Sequence, residues 1–233
     1  MTSSLEHVIN EIVRSTAPVL FIDTCIYLDV IRSPIRTNIS KDTAKWAKIL
    51  TGKAKEKVFW LVTCKTIQDE WQDNVSNVVS ELDREAKKME TSNLHFHSVL
   101  SSIDNEYVKP TWNGVTLGVA EGFKKISESM LNESMVIECE DKHSVSAMSR
   151  IKRCIAPASK GKLEPKDCEI FEVFLDMAKR LRDGDYSGNI YFVSSNTTDY
   201  RKDNSKSIDE ELAFVSSEFI PNLSLAGYNV TNP

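Results

Sequence analysis

The sequence lacks several features that would assign it to a familiar class. No apolar run approaches the roughly 20 residues of a membrane-spanning helix. The start, MTSSLEHVINEIVRS, has neither the basic residues nor the apolar core of a signal peptide. The five cysteines are scattered and form no CxxC pair. We therefore expect a cytoplasmic protein that does not contact the membrane and has reduced thiols and no zinc site.

Nucleotide-binding motifs and an excess of positive charge are also missing. There is no GxGxxG and no Walker A sequence, so neither dinucleotide binding nor nucleotide hydrolysis has support. Lys and Arg number 29 against 34 Asp and Glu, a net charge of -5. Proteins that bind nucleic acid by bulk electrostatics are usually basic. The acidity here is either solvated surface or a carboxylate cluster that a metal ion neutralises.

Apolar runs of strand length alternate with helical patterns along the chain. The strand-like runs are PVLFID (18–23), VFWLVT (58–63) and NIYFVSS (189–195). Shorter candidates are 134–139, a strand or an extended lead-in, and 223–230, a final strand. Helices are predicted at 5–14, 24–32, 41–51, from Thr66 to about 90, 167–183 and 203–219. This alternation predicts a three-layer α/β/α fold with a central, mostly parallel sheet.

The length of 233 residues suits one large domain or one domain with an insertion. We interpret residues 1–233 as a single domain and residues 78–135 as a helical insertion within it. The helical pattern is broken near Lys109-Pro110 and Asn113-Gly114. Trp112, beside the second break, could stack on a nucleic-acid base.

Four carboxylates follow or flank the predicted strands. Asp23 closes the first strand, Glu70 begins the helix after the second, Asp167 opens a helix, and Asp199 follows the third strand. Ligands of open α/β sheets bind beyond the carboxyl ends of the strands, so these acids should share one edge. Clustered carboxylates repel one another, and hard divalent cations such as Mg²⁺ relieve that repulsion. A metal site is therefore expected there.

Taken one at a time, each acid has an ordinary structural interpretation. Asp23 is equally well an N-cap of the following helix, and Glu70 a solvated helix residue. Asp167 suits the first turn of a helix, where the dipole favours negative charge. Asp199 suits a turn. Only the joint occurrence of all four, in this order, favours a functional site.

The order of these motifs resembles that of PIN-domain nucleases. The family's acidic motifs correspond here to LFIDTCIYLD, TIQDEW, PKDCEIFEVFLDMA and FVSSNTTDY. The resemblance covers about residues 17–71 and 163–230, and the segment between them is longer than in the minimal members. It implies the Rossmann-like PIN fold, a Mg²⁺ or Mn²⁺ cofactor, and hydrolysis of phosphodiester bonds with 5′-phosphate and 3′-hydroxyl ends.

Residue roles follow from the same resemblance. It implies Asp23, Glu70, Asp167 and Asp199 as metal ligands and catalytic residues. Asn196 would hold a phosphate or orient Asp199. Further candidates that assist by hydrogen bonding or bind substrate are Thr24, Ser194, Arg150, Arg153 and Lys166. The last three belong to a basic stretch, 150–166, which is either a solvated loop or an edge that grips phosphates. Glu169 is an additional ligand candidate, although it points about 200° away from Asp167 on a helix.

The resemblance implies an endoribonuclease that cuts RNA, tRNA included, as a toxin or phage-defence effector. A protein partner that inhibits or activates it, and assembly into a homo-oligomer, are further expectations. One alternative is a catalytically weak PIN-like module that binds RNA or protein. Another is a haloacid-dehalogenase-like phosphatase, which needs a second Asp two residues after the first. This chain has Cys25 at that position.

Overall fold

A single six-stranded sheet forms the centre of the protein. The computed structural model describes residues 2–104, 106–108, 115, 117–201 and 208–231. The strands are β1 (Thr2–Ser3), β2 (Val19–Ile22), β3 (Trp60–Cys64), β4 (Met135–Ile137), β5 (Ile190–Val193) and β6 (Glu218–Ile220). Their order is β1-β4-β3-β2-β5-β6, and every neighbouring pair is parallel.

Helices cover both faces of this sheet. They are α1 (Leu5–Ile12), α2 (Thr24–Arg32), α3 (Thr43–Lys55), α4 (Lys65–Ile103), α5 (Val119–Glu133), α6 (Asp141–Arg153), α7 (Pro165–Asp183), α8 (Thr197–Tyr200), α9 (Asp209–Phe214) and α10 (Leu223–Thr231). Helices α2, α3, α4, α5 and α10 pack together in one layer, while α1 and α6 pack on α7 in the other. The predicted three-layer α/β/α fold with a parallel sheet is confirmed.

The position of β2 determines where a ligand can bind. Every residue of β2 is buried, as expected for a parallel strand covered on both faces. The chain leaves β2 toward β3 on one side, whereas β5 pairs with β2 on the other side. The connections therefore diverge between β2 and β5, which makes the carboxyl ends of these strands the switch point of the sheet.

The final strand predicted at 223–230 is wrong, because these residues form helix α10. Leu223, Ala226 and Val230 are buried at helical spacing, and the Asn222 side chain accepts a hydrogen bond from the Leu225 N–H at 2.9 Å. Gly227 lies against Trp46, where a Cβ atom would come within 2.2 Å of the indole ring. Close packing of two helices therefore overrides the apolar composition that suggested a strand.

The sixth strand, β6 (Glu218–Ile220), overlaps the end of the helix predicted at 203–219. Of that predicted helix, α9 accounts for Asp209–Phe214, and residues 203–207 lie outside the described part. Strand β1 was not predicted because it has only two residues. The basic stretch also starts differently, since residues 150–153 end helix α6 instead of belonging to a loop.

The region predicted as an insertion contains two long helices. Helix α4 has 39 residues and its buried positions end at Ala86. Helix α5 returns to the main layer, where the Ser127 hydroxyl donates to the Tyr27 carbonyl at 2.7 Å. The breaks at Lys109-Pro110 and Asn113-Gly114, and Trp112, lie outside the described residues. The single-domain assignment and the insertion bounds 78–135 stay predictions.

None of the helices within the described ranges combines the length and apolar character that crossing a bilayer requires.

Candidate active site

Asp23 lies at the switch point of the sheet, between the end of β2 and the start of α2. Its backbone is extended, and its N–H continues the sheet by donating to the Val193 carbonyl at 3.0 Å. The side chain is only 3% exposed and caps α2 by accepting from the Thr24 N–H at 2.7 Å. The N-cap interpretation and the site interpretation are therefore compatible, because the cap holds the carboxylate at the cavity wall.

Glu70 is joined to Asp23 through Thr24. The first helix after β3 carries Glu70 toward the start of α2, where Glu70 Oε2 accepts from the Thr24 hydroxyl at 2.6 Å. Thr24 itself is buried. One threonine thus contacts both acids, with its amide on Asp23 and its hydroxyl on Glu70.

Ser194 and Asn196 extend this arrangement to Asp167. The buried Ser194 hydroxyl donates to Asp23 Oδ2 at 2.6 Å and accepts from the Asn196 N–H at 3.1 Å. The Asn196 side-chain amide donates to Asp167 Oδ2 at 3.0 Å. Glu70, Asp23 and Asp167, which come from three separate parts of the chain, are therefore linked by one continuous series of hydrogen bonds.

Asp199 belongs to a second group of carboxylates that shares Asp167. One oxygen each from Glu164, Asp167 and Asp199 lies within 4.8 Å of the others. Lys162 Nζ contacts both oxygens of Asp199 at 2.6 Å and Glu164 Oε1 at 3.0 Å. A cation of the chain therefore already lies against this second group.

The two groups meet at a cavity of about 250 Å³. Its walls include the acids Asp23, Glu70, Glu164 and Asp167, together with Asn196. The sheet edge, the start of α2, the start of α4 and the start of α7 all contribute. Such a space is large enough for hydrated cations and one phosphate group and too small for a folded nucleic acid to enter.

The proton affinities of the acids reflect their crowding. Burial raises the pKa of Asp23, and the charge of Glu70 raises it further. The pKa of Asp167 is raised to about 8, first by burial and then by the neighbouring carboxylates. A carboxyl group with such a value lacks a compensating positive charge. The site is electrostatically suited to gain one.

Cys25 supports the acids without sharing their charge. Its Sγ lies 3.1 Å from Asp23 Oδ2, and the Ser195 N–H donates to Sγ at 3.2 Å. Burial and the charge of Asp23 raise the pKa of the Cys25 thiol well above its ordinary value. The thiol therefore stays protonated and donates to the carboxylate.

Of the three basic residues expected beside the acids, Arg150 is buried, whereas Arg153 and Lys166 are exposed. Arg150 is not brought to the site: it is 4% exposed and pairs with Glu172 and Glu211 at 2.8 and 2.7 Å. Arg153 is exposed at the end of α6. Lys166 is exposed one residue before Asp167, and its Nζ lies 3.5 Å from an Asp73 oxygen. Only Lys166 has a sequence neighbour in the acidic cavity.

Glu169 lies away from the cavity, as its angular offset on α7 implied. Its Oε2 accepts from the Thr66 hydroxyl at 2.5 Å, and its other oxygen contacts the Ser144 hydroxyl. Glu164, by contrast, belongs to the site and was not singled out from the sequence. The available signal was its position immediately before Pro165, the first residue of α7, three residues before Asp167.

Taken together, these features define an α/β protein whose sheet carries an acidic site at its switch point. A family model described as PIN domain matches residues 20–200. The chain therefore belongs to the PIN-domain family, whose members are generally nucleases. No curated protein and no solved structure matched the chain.

Proposed function

We propose that this protein is a metal-dependent endoribonuclease that hydrolyses phosphodiester bonds at the acidic cavity. The observation that supports this most is the hydrogen-bonded series from Glu70 through Asp23 to Asp167. It brings acids from separate elements to one cavity and fixes their orientation. A set of solvated surface acids would need no such supports.

The donor atoms present suit a hard divalent cation. They are carboxylate oxygens, with no His or accessible thiolate among them, which favours Mg²⁺ or Mn²⁺ over softer metals. The proposed ligands are Asp23, Glu70, Asp167 and Asp199, with Glu164 as an additional one. When bound, such a cation supplies charge neutralisation at the phosphate and a more acidic water at neutral pH.

The chain's own polar groups orient the acids. Thr24, Ser194 and Asn196 each donate to one carboxylate oxygen. The second oxygen of Glu70 and of Asp167 makes no hydrogen bond within the described residues, which leaves it available to a cation. Outer-shell donors of this type commonly fix the geometry of first-shell ligands. The predicted assisting role of Thr24 and Ser194 and the orienting role of Asn196 are therefore retained in the proposal, although Asn196 contacts Asp167 and not Asp199.

The substrate class follows from the family, whose nucleases act on nucleic acids. RNA is proposed as the substrate, and tRNA, a toxin or phage-defence role, a regulatory protein partner and a homo-oligomer stay predictions. Lys166 and Arg153 remain candidate contacts to the RNA backbone because they are exposed. Arg150 is withdrawn from that role, since its charge is already paired on both sides.

The decisive experiment is cleavage of total cellular RNA by purified protein with Mg²⁺ or Mn²⁺. Asp23→Asn and EDTA should each abolish cleavage, and the products should carry 5′-phosphates. The matched control is Asp183→Asn, which neutralises an exposed acid at the opposite end of α7 from Asp167 and should cleave like the wild type. Cleavage that persists in EDTA or in Asp23→Asn would contradict the proposal.

Calorimetric titration with Mn²⁺ separates the proposal from the alternative of a binding module. Wild-type protein should bind Mn²⁺, and Asp23→Asn should bind it much more weakly. Protein that binds RNA but neither binds Mn²⁺ nor cleaves would support the binding module. The Lys162–Asp199 ion pair would then explain the lack of metal binding, because it occupies one of the proposed ligands.

A further inference from the structure

A second cavity, of about 540 Å³, lies directly beside the acidic one. Cys25, Arg32 and Asn196 line both cavities, so the two spaces adjoin along these residues. The outer walls come from the segment that follows α2 and from the segment Pro221–Leu223. When the scissile phosphate of an RNA strand reaches the acids, the next nucleotide of that RNA can occupy this second cavity.

Arg32 is positioned between the two spaces by the geometry of α2. Thr24, Leu28 and Arg32 are spaced four residues apart and line the same wall of the acidic cavity. Arg32, in the last turn of α2, therefore contributes to the walls of both cavities.

The guanidinium of Arg32 has unused hydrogen-bonding capacity. Its Nε atom is buried and, within the part of the chain that the structure describes, has no hydrogen-bond partner. Nε lies 3.6 Å from Glu81 Oε2, so it forms an ion pair with Glu81 that is too long for a hydrogen bond. Glu81 is instead held by Arg36, whose Nη2 contacts its two oxygens at 3.0 and 3.3 Å. Because Nε has no accessible surface, an acceptor in the cavities would have to meet the terminal Nη atoms of Arg32, for which the described residues supply no hydrogen-bond partner.

Most of the remaining lining of the second cavity is polar, although Ile26, Ile39, Pro221 and Leu223 also contribute to it. Asp29 is the acid on its wall, and its Oδ2 accepts from the Ser195 hydroxyl at 2.6 Å. Asn38 and Thr197 add amide and hydroxyl groups at the rim, and both are exposed. These groups suit the hydroxyls and heteroatoms of a nucleotide better than an apolar ligand.

We propose that the second cavity binds the nucleotide adjacent to the scissile phosphate, and that Arg32 binds the non-bridging oxygens of that phosphate. The two terminal Nη groups of a planar guanidinium are suited to bind two phosphate oxygens at once. The arginine also offsets the repulsion between the phosphate and the acids. This inference rests on the proposed nuclease function and assigns the substrate side of the same site.

The test is binding of a fluorescent single-stranded oligoribonucleotide in Ca²⁺, measured by anisotropy across a series of salt concentrations. Arg32→Gln should weaken binding about tenfold, as for loss of a charged hydrogen bond. It should also lower the slope of log affinity against log salt by about 0.7, the value for one phosphate contact on a single strand. A purely structural role would not change that slope. Arg32→Lys should keep the slope and lose part of the affinity, because the charge remains without the planar fork.

The matched control is Arg14→Gln, which removes an arginine that is 70% exposed and lies just before β2, at the opposite edge of the sheet. Wild-type affinity and slope in Arg32→Gln, with Mn²⁺ binding and RNA cleavage intact in the wild type, would overturn this inference alone. Absence of cleavage and of Mn²⁺ binding in the wild type would instead overturn the nuclease proposal. A loss of affinity seen with a deoxyribonucleotide of the same sequence but not with RNA would also overturn the assignment.

Discussion

The raised pKa of Asp167 makes the stability of the metal-free protein depend on pH in an unusual direction. The ordinary value is 3.8 and the folded-state value is about 8. Between these values the folded protein keeps a proton that the unfolded chain has lost. The free energy of unfolding then falls by about 1.36 kcal/mol for each pH unit of increase, which gives an upper limit of about 6 kcal/mol over the interval. Because the acids titrate together and water reaches the cavity, we expect about 2–3 kcal/mol.

Asp167→Asn should remove this penalty. The asparagine side chain can still accept from the Asn196 amide, as Asp167 does now at 3.0 Å, but it carries no charge. In EDTA at pH 8 the variant should be more stable than the wild type by about 2 kcal/mol, and this difference should shrink as the pH falls toward 3.8, the ordinary pKa of the carboxyl. The variant should also lose Mn²⁺ binding and cleavage. Stability and activity would then change in opposite directions.

Urea denaturation followed by tryptophan fluorescence measures the difference, because the chain has four tryptophans. The matched control is Asp183→Asn, which changes an exposed acid on the same helix. Its stability should follow the wild type over this pH range. The reasoning is refuted if Asp167→Asn is less stable than the wild type in EDTA at pH 8, or if wild-type stability rises steadily from pH 5 to pH 8.

Three further changes test other parts of the structure. Arg150→Met should lower the free energy of unfolding by about 3–5 kcal/mol in urea denaturation. The arginine is 4% exposed, and its removal leaves Glu172 and Glu211 without their cationic partner. A loss below about 1 kcal/mol would contradict the buried ion pairs. Gly227→Ala should destabilise by about 1–3 kcal/mol in thermal denaturation, whereas Gly52→Ala, with nothing within 4 Å of its added Cβ, should be neutral or stabilising. Lys162→Met should tighten Mn²⁺ binding about threefold in calorimetry, since it frees both oxygens of Asp199; unchanged affinity would place the cation elsewhere.

The central strands could be predicted from the sequence because burial on both faces leaves a continuous apolar run. This holds for β2, β3 and β5, and the acid at the end of β2 was identified with them. Strands β1 and β6, with two and three residues, are too short to produce a pattern. Helix α10 was mistaken for a strand because its short apolar run fits either element. Only its packing against α3, which the sequence does not show, favours the helix.

The site was predictable to the extent that it depends on chain order. Four acids at predicted strand and helix ends identify the edge of the sheet, but they do not say which charges are already paired. Arg150 and Lys166 look alike in the sequence, yet one is buried between carboxylates and the other is exposed. Likewise the sequence did not single out Arg32, because its proposed role depends on its position between two adjoining cavities.

The acids of this site repel one another, so packing in the core must fix the strands and helices that carry them. A cluster of buried aromatic rings lies under the carboxyl ends of the central strands. Phe192 in β5 lies 6.0 Å from Phe21 in β2, 5.4 Å from Phe171 in α7 and 5.0 Å from Tyr200 in α8, between ring centroids. Phe171 shares α7 with Asp167 and Tyr200 shares α8 with Asp199, while Phe21 and Phe192 lie two residues before Asp23 and Ser194. Aromatic contacts of this kind contribute about 0.5–1.5 kcal/mol each beyond burial, and together they oppose the repulsion among the carboxylates. The acidic site can therefore keep its arrangement before a cation binds, because rings fix the backbone from which the carboxylates extend.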